Sequence, residues 1–315
     1  MTLSTPIFQT RNSNFSEPKA RSKNNRPKTL VIFAIVAAIL FWASAFPAIR
    51  IALNTYTPTE LAFLRYVVAS ITLVIYAVGR RMSLPRSRDL PAIAILGFIG
   101  FTVYNIMLNA GQMTVAAGTA SFIISSGIGI IALLARLFYG EKLDLKGWLG
   151  VLLCILGVGV IAFSKDGVLQ FSSGTLLVFV ATLAISIYSV MQKSLLRRYS
   201  AVEFTTYAIL AGTFFLFFFA PKAMFSISNA SFGANLAVIY MGVFPGAIAY
   251  IAWSYVLSQI PASVAASYLS LIPLVALAIA WLWLGEIPTM IALGGGAVIF
   301  LGVLLVNQKS KSDRF

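Results

Sequence analysis

Long apolar runs alternate with short polar breaks from residue 30 to residue 307. Each run is continuously apolar for about 20 residues, which is the length that an α-helix needs to cross the hydrocarbon core of a bilayer. Strands of a membrane barrel would instead alternate apolar and polar positions over about ten residues. The pattern therefore predicts an all-α membrane protein with ten transmembrane helices. We place these spans at 30–49, 59–79, 90–110, 117–138, 147–164, 174–194, 203–220, 235–256, 262–284 and 289–307.

Composition agrees with lipid as the main solvent of the chain. Hydrophobic residues make up 59% and charged residues 10% of the 315 residues, whereas soluble domains contain about 45–50% apolar and about 25% charged residues. The one cysteine, Cys154, lies inside an apolar run and is predicted to be a buried, inert thiol. The chain has no histidine and no phosphate-binding glycine loop. We therefore expect no cofactor, no histidine-based metal site or general base, and no direct use of ATP.

The basic residues indicate an orientation rather than a nucleic-acid partner. The net charge is +14, but six of the 23 Lys and Arg lie in the first 28 residues and most others flank apolar runs, instead of gathering on one folded face. With ten spans and the N-terminus inside, 19 of the 23 lie on the inner side and three lie outside. Cytoplasmic loops are enriched in Lys and Arg, so both termini are predicted to be cytoplasmic. Residues 1–29 are predicted to be a disordered basic tail and residues 308–315 a second cytoplasmic tail.

One alternative concerns the first span. Ala43-Ser44-Ala45 resembles a signal-peptidase site that follows a short apolar region. The polar leader is long for a signal peptide, however, and the apolar run continues to Leu53. A retained first helix is therefore favoured.

The chain repeats itself at an offset of 145 residues. Over residues 97–141 the register gives nine identities in 45 positions, and Gly140-Glu141 coincides with Gly285-Glu286. The first half is predicted to span 30–164 and the second 174–307, with five helices in each. Because five is odd, the second half would enter the membrane upside down. Inverted repeats of this kind characterise secondary transporters, in which two similar halves move around a site near the membrane midplane.

The chain resembles the EamA-type members of the drug/metabolite transporter superfamily. The resemblance rests on "FWASAFPAIRIAL" in span one, "TPTELAFLRYVVA" in span two, and the two Gly-Glu elements with "LGVLLCILGVGVI" and "LGGGAVIFLGVLLV" after them. It implies ten helices, a central cavity, residence in the plasma (inner) membrane and efflux of small metabolites, often amino acids or their relatives. The family often carries a proline early in spans four and nine. Span nine has Pro273, but its register partner is Ile128, so the two halves are expected to bend differently.

Polar and aromatic side chains inside the predicted spans are the candidates for substrate binding. Asn105 and Asn109 are four residues apart and share a helix face, where amides in lipid either contact a substrate or join helices. Aromatic side chains with one polar end suit an amphipathic solute, although they also form interfacial belts. The predicted substrate-binding residues are Trp42, Ser44, Tyr104, Asn105, Asn109, Tyr188, Gln192, Tyr250, Trp253 and Tyr268. The predicted hinge or kink residues are Pro47, Gly127, Gly129 and Pro273.

Three charged residues have two interpretations each. Arg65 lies about a third of the way into span two, where it would either attract an anionic group of the substrate or tie the helix to a neighbour. Glu60 and Glu203 are the only candidates for proton coupling, and uncoupled export agrees equally well with the sequence. The two Gly-Glu elements are expected to end one helix and to place a carboxylate at the N-terminus of the next.

These features predict a secondary transporter that exports small organic metabolites, such as amino acids or their derivatives, by alternating access. The runner-up is efflux of cationic, hydrophobic compounds, which would require a counter-charge in the membrane. A membrane enzyme would need a clustered nucleophile, base or metal set, and a channel usually needs symmetric rings of charge or carbonyls. The sequence marks neither. The expected partners are a small-molecule substrate and the lipid bilayer, and the protein is either a monomer or a homodimer.

Overall fold

The computed structural model describes residues 28–139, 145–162, 164–165, 168–169, 173–259 and 268–307, and nearly all of these are helical. Two antiparallel strands of two residues each, β1 (Ser164–Lys165) and β2 (Val168–Leu169), lie between the fifth and sixth helices. The helices are α1 (Lys28–Leu53), α2 (Pro58–Gly79), α3 (Ser87–Gln112), α4 (Ala117–Tyr139), α5 (Leu145–Ala162), α6 (Ser173–Ser194), α7 (Ala201–Asn229), α8 (Phe232–Val256), α9 (Ile272–Leu284) and α10 (Met290–Asn307).

Seven of the described helices, α1–α4 and α6–α8, are long and apolar enough to cross a membrane. The others, α5, α9 and α10, are apolar but shorter. The protein is therefore a multi-pass membrane protein, and the three further crossings stay a prediction. Helix α1 continues through Ala43-Ser44-Ala45 to Leu53 without a break. Both predicted tails lie almost entirely outside the described residues.

Carboxylates cap two of the helices at matching places. The backbone N–H of Thr57 donates to Oε2 of Glu60 at 2.8 Å, at the start of α2. The N–H of Ser200 donates to Oε2 of Glu203 at 2.8 Å, and the Ser200 hydroxyl accepts from the N–H of Glu203, at the start of α7. These bonds satisfy N–H groups that have no partner within the helix. Each residue of the second pair lies 143 positions after its counterpart.

Helices α5 and α10 pack against each other through reciprocal glycines. A Cβ on Gly150 would lie 2.6 Å from the carbonyl oxygen of Gly302, and one on Gly157 would lie 2.7 Å from that of Gly295. Gly302 is the register partner of Gly157, and Gly295 is that of Gly150. Between them the Cys154 thiol, buried as predicted, faces the carbonyl of its own register partner, Ile299, at 3.8 Å. An antiparallel pair related by a two-fold axis has this pattern of contacts.

Two further helix pairs, α3 with α7 and α8 with α2, make equivalent close contacts through a glycine. A Cβ on Gly97 of α3 would lie 2.5 Å from the carbonyl oxygen of Ala208 in α7. A Cβ on Gly242 of α8 would lie 2.8 Å from the carbonyl oxygen of Arg65 in α2. The contact between α2 and α7 themselves joins equivalent positions, because the hydroxyls of Ser70 and Thr213 are 2.8 Å apart. Small residues let the backbones approach closely at these crossings, as is usual in membrane bundles.

The helix irregularities also come in pairs. Helices α3 and α8 each contain a π-helical segment, Phe98–Val103 and Phe244–Ile248, and the second includes Pro245, which has no N–H to donate. Helix α4 is interrupted at Ser126, and a turn at Leu271 precedes α9; these two residues are register partners. The expected difference in bending between spans four and nine stays a prediction, because residues 262–267 of span nine lie outside the described part of the chain. Pro273 lies in the first turn of α9, which begins at the position equivalent to the one where α4 resumes after Ser126.

Candidate solute cavity

A cavity of about 340 Å³ lies inside the bundle. Its walls come from α1–α4 and α6–α8 together with residues at the start of α9, so both halves of the chain contribute. We call the end of the bundle where α1 begins the near end, and the end where α1 meets α2 the far end. Towards the near end the wall reaches Leu196, Ala201 and Leu269, close to the ends of their helices. Towards the far end it stops at Ile49, Leu108 and Ser121.

Aromatic rings form one part of the wall. Trp42 packs edge-on against Tyr250 and Trp253, with ring centroids 5.3 and 5.6 Å apart. Behind the wall lies Phe101, which is completely buried and contacts the rings of three lining tyrosines at 5.1–6.2 Å. These tyrosines are Tyr66, Tyr188 and Tyr250. Such contacts hold the rings in defined orientations, which makes the aromatic wall a shaped surface for an apolar group.

Serine hydroxyls form a second part of the wall, on α4 and α6. Ser125 donates to the carbonyl of Ser121 at 2.9 Å, and Ser186 donates to that of Thr182 at 2.6 Å. Ser189 donates in the same way to Ile185 at 2.6 Å. Because each hydroxyl proton is engaged by the helix backbone, the oxygen lone pairs are what these side chains can present to a solute. Gln192, one turn further along α6, also lines the cavity.

Arg65 is a charged residue in the cavity wall. Its side chain is about 95% buried, given a relative exposure of 5%. Nη1 donates to Oδ1 of Asn105 at 3.3 Å, and the guanidinium carbon lies 5.4 Å from the centre of the Tyr66 ring. Nε is buried and has no hydrogen-bond partner in the described part of the chain.

The structure brings six of the ten predicted binding residues to the cavity and leaves four outside it. Those in the wall are Trp42, Tyr104, Tyr188, Gln192, Tyr250 and Trp253. Ser44 instead lies 2.6 Å from the Tyr240 hydroxyl, Asn105 donates to the carbonyl of Phe101 at 2.8 Å, and Asn109 donates to that of Pro58 at 3.0 Å. Tyr268 is 40% exposed and does not line the cavity. Asn109 thus joins α3 to α2 through Pro58, and Asn105 does so by accepting a hydrogen bond from Arg65.

The other predicted residues occupy different settings. Gly127 lines the cavity, where a Cβ would lie 2.9 Å from the Ser186 hydroxyl, whereas Gly129 packs beside Cys154 of α5. Pro47 is buried inside α1. Glu60 and Glu203 cap their helices and line no part of the cavity. The described residues that line it include no acidic side chain.

An ion pair closes the far end, and we call it the far-end clamp: Arg50, Glu286 and their backbone partners. Nε of Arg50 donates to Oε1 of Glu286 at 3.1 Å, and Nη1 donates to the carbonyl of Gln112 at 2.7 Å. Oε2 of Glu286 accepts the N–H of Ala117, the first residue of α4, at 2.8 Å. The clamp therefore joins α1, α3, α4 and α9 beyond the end of the cavity.

The Gly-Glu prediction is right about the glycine and wrong about the carboxylate. Gly285 ends α9 with φ +66°, a left-handed conformation that favours glycine. Its neighbour Glu286 caps α4, not the next helix, α10, whose first turn is capped by the Thr289 hydroxyl. The earlier element, Gly140-Glu141, lies outside the described residues.

Some lining residues were not among the predicted ones. Tyr66 and Thr205 lie in apolar helices and carry no spacing signal that would separate them from core residues. Ser121 and Ile49 line the cavity only because of how α4 and α1 are rotated. The pairing of Arg50 with Glu286, which are far apart in the sequence, had no local signal either.

A helical membrane bundle with a solute-sized cavity between two similar halves is the architecture of a transporter. A model of the EamA-like transporter family matches residues 29–163 and 172–308. The chain belongs to this family, which confirms the predicted resemblance, and it is a transporter of small molecules rather than an enzyme.

Several proteins are similar over most of their length. An uncharacterized transporter of Bacillus subtilis, YdfC, is 41% identical over 91% of this chain and 95% of its own. A probable terminal-alkyne amino-acid exporter of Streptantibioticus cattleyicolor is 36% identical over 90% and 95%. A solved crystal structure with 17% identity aligns with 89% of this chain and 96% of its own, with a TM-score of 0.60, which supports the fold alone.

Proposed function

We propose that this transporter exports small organic metabolites, amino acids or their derivatives, by alternating access. The observation that carries the proposal is the cavity: both halves build it, it reaches the near end, and the far-end clamp stands beyond its other end. A carrier held in one of its two access states has this geometry. In the other state the clamp opens and the near end closes.

The proposal includes an orientation. We assign the near end to the cytoplasm of a plasma-membrane protein, with ten crossings in two inverted halves and both termini inside. The support is the excess of Lys and Arg in the segments at that end, such as Arg80, Arg81, Arg86 and Arg88. An exporter loads its substrate from the cytoplasm, so a cavity that reaches the near end is in the loading state.

The substrate class is supported by the lining. A pocket of about 300–1,000 Å³ with apolar walls and a few polar groups is typical of small-molecule sites, and the relative named as an amino-acid exporter points to the same class. Efflux of cationic compounds is the weaker candidate. A buried cation needs a counter-charge, and the described lining supplies a cation, Arg65, but no carboxylate.

We further propose that export is not driven by protons. Glu60 and Glu203, the two sequence candidates for coupling, accept hydrogen bonds from helix-start N–H groups outside the cavity. Protonation of either would weaken a helix cap without touching the solute.

The test is counterflow of radiolabelled L-amino acids into proteoliposomes that hold the purified full-length chain, with and without an imposed pH gradient. Saturable flux that the gradient does not change is the expected result. Saturable flux that the gradient accelerates would overturn the uncoupled mechanism, and no flux for any amino acid would overturn the substrate class.

A matched pair of variants ties that flux to the cavity. Tyr250→Ala removes a ring from the wall, whereas Trp281→Ala removes a ring that is 58% exposed on the outside of the bundle. We expect the KM for flux to rise in the first variant and to stay unchanged in the second. Equal effects would mean that the cavity is not the transport site.

A further inference from the structure

We propose that the guanidinium of Arg65 binds the carboxylate of the transported solute. The inference rests on the proposed function and narrows its substrate to solutes that carry a carboxylate. Arg65 lines the cavity and is about 95% buried, given its 5% relative exposure. Its charge therefore faces a space within the bundle that a solute can enter.

The positive charge of Arg65 has no anionic partner among the described residues. The salt bridges found there join Arg50 with Glu286, Arg198 with Asp89, and Lys222 with Glu60. What Arg65 has is one hydrogen bond of 3.3 Å to Asn105 and the ring of Tyr66 at 5.4 Å. Burial of a charge without compensation is costly, and ionisable groups inside a membrane bundle commonly mark a substrate pathway.

A purely structural role explains these contacts poorly. A residue that tied α2 to α3 would use its donors on the neighbouring helix, yet Nε makes no hydrogen bond in the described part of the chain. Arg50 shows what a structural arginine does in this bundle, because it donates to a carboxylate and to two backbone carbonyls. An arginine offers five donors in a planar fork that matches a carboxylate, and Arg65 leaves most of its donors for another partner.

The rest of the wall matches the remainder of an amino acid. The hydroxyls of Ser125, Ser186 and Ser189 donate to their own helices, so their oxygens are left to accept from an ammonium group. The rings of Trp42 and Tyr250 offer a surface for an apolar side chain. Donors at Arg65 and acceptors on α4 and α6 together favour a zwitterion over a cation.

The first experiment uses the wild-type chain and three related probes: L-phenylalanine, L-phenylalanine amide and 3-phenylpropionate. Binding is followed in detergent by the shift of the melting temperature, and transport by competition in counterflow. We expect the two carboxylates to bind and the amide to bind roughly 10- to 100-fold more weakly, since a hydrogen bond to a charged group contributes about that factor. Equal binding of acid and amide would overturn the inference.

The second experiment changes the residue. Arg65→Gln should raise the KM for L-phenylalanine roughly 10- to 100-fold and remove the preference for acid over amide. Arg65→Lys, which keeps the charge but loses the fork, should retain part of the preference. Arg88→Gln is the matched control, because it removes an exposed charge at the near end and should change neither quantity.

A stability measurement separates binding from a structural role. Without ligand, Arg65→Gln should melt at the wild-type temperature or above it, because a buried unpaired charge is removed. A clear fall in melting temperature together with an unchanged preference for the acid would show that Arg65 only holds helices together. If the wild-type protein binds the acid more tightly than the amide but transports neither, the proposed function fails while the Arg65 site stands. If the wild-type protein transports acid and amide equally well, the transport function stands and the Arg65 site fails.

Discussion

Tyr56 and Tyr199 stand at equivalent positions in the two halves, and each reaches to the start of a helix in the other half. The Tyr56 hydroxyl donates to Oδ1 of Asn235, near the start of α8, and burial together with the charge of Glu60 raises the pKa of Tyr56, which keeps that proton in place. The Tyr199 hydroxyl donates to Oδ2 of Asp89, at the start of α3. The two halves are therefore joined by equivalent tyrosine hydrogen bonds, one at each end of the bundle.

The walls of the cavity do not repeat in this way. Arg65 corresponds to Ala208, which is fully buried against Gly97, and Trp42 corresponds to Ile185. Asn105, which lies behind the wall, corresponds to Tyr250, which forms part of it. Capping, glycine contacts and helix breaks are symmetric because both halves need the same packing. The lining is asymmetric, which agrees with the proposed solute, an amino acid with two different ends.

The strongest test of this comparison is at the far-end clamp, which joins Arg50 of the first half to Glu286 of the second. Glu286→Gln should weaken the closed far end by about 2 kcal/mol, or roughly thirtyfold, because a charged hydrogen-bonding partner is lost. The readout is labelling of Leu108→Cys, at the far limit of the cavity, by an impermeant maleimide from the far side in a Cys154→Ala background. The rate should rise, whereas Glu203→Gln, an exposed cap at the near end, should leave it unchanged. A clamp variant with wild-type labelling would show that the ion pair does not hold the far end closed.

A second test compares the glycine contacts. Gly97→Ala and Gly242→Ala each force a Cβ to within 2.5 Å of atoms in the neighbouring helix. We expect each to lower the free energy of unfolding by about 1–3 kcal/mol, the usual cost of overpacking, and by similar amounts in both halves. Unfolding in mixed micelles is the measurement. Gly159→Ala, where nothing lies within 4 Å, is the control and should be neutral. A large effect in one half alone would mean that the two crossings are not equivalent.

The smallest effects are expected at the paired tyrosines, where they should separate the halves. Tyr199→Phe removes a donor to the carboxylate of Asp89 and should cost about 1.5 kcal/mol, whereas Tyr56→Phe removes a donor to an amide and should cost about 1 kcal/mol. The melting temperatures of both variants show which substitution costs more stability. Tyr76→Phe, on the half-buried face of α2, is the control. The reverse order would indicate that Arg198, which also donates to Asp89, compensates fully for the lost hydroxyl.

Local patterns in the sequence were enough to predict an all-helical membrane protein built from two repeats. Apolar runs about 20 residues long determine where helices form in lipid, since every backbone group must be satisfied within the segment. The register of 145 pairs Gly150 with Gly295 and Gly157 with Gly302, and these residues form the α5–α10 contact. The six binding candidates that line the cavity were recognisable because polar and amphipathic aromatic side chains interrupt long apolar runs.

Only the tertiary structure decided which way each helix faces. Asn105 and Asn109 share a face, as their spacing predicts, but packing turns that face towards Arg65 and Pro58 of α2 instead of the cavity. Within the described residues, packing also leaves Arg65 without a carboxylate partner, whereas Arg50 has one in Glu286 of the opposite half. The periodicity of a helix determines which residues lie on the same face, but it does not determine the rotation of that face. The rotation follows from contacts between helices distant in the chain, such as Gly97 on Ala208 and Gly242 on Arg65.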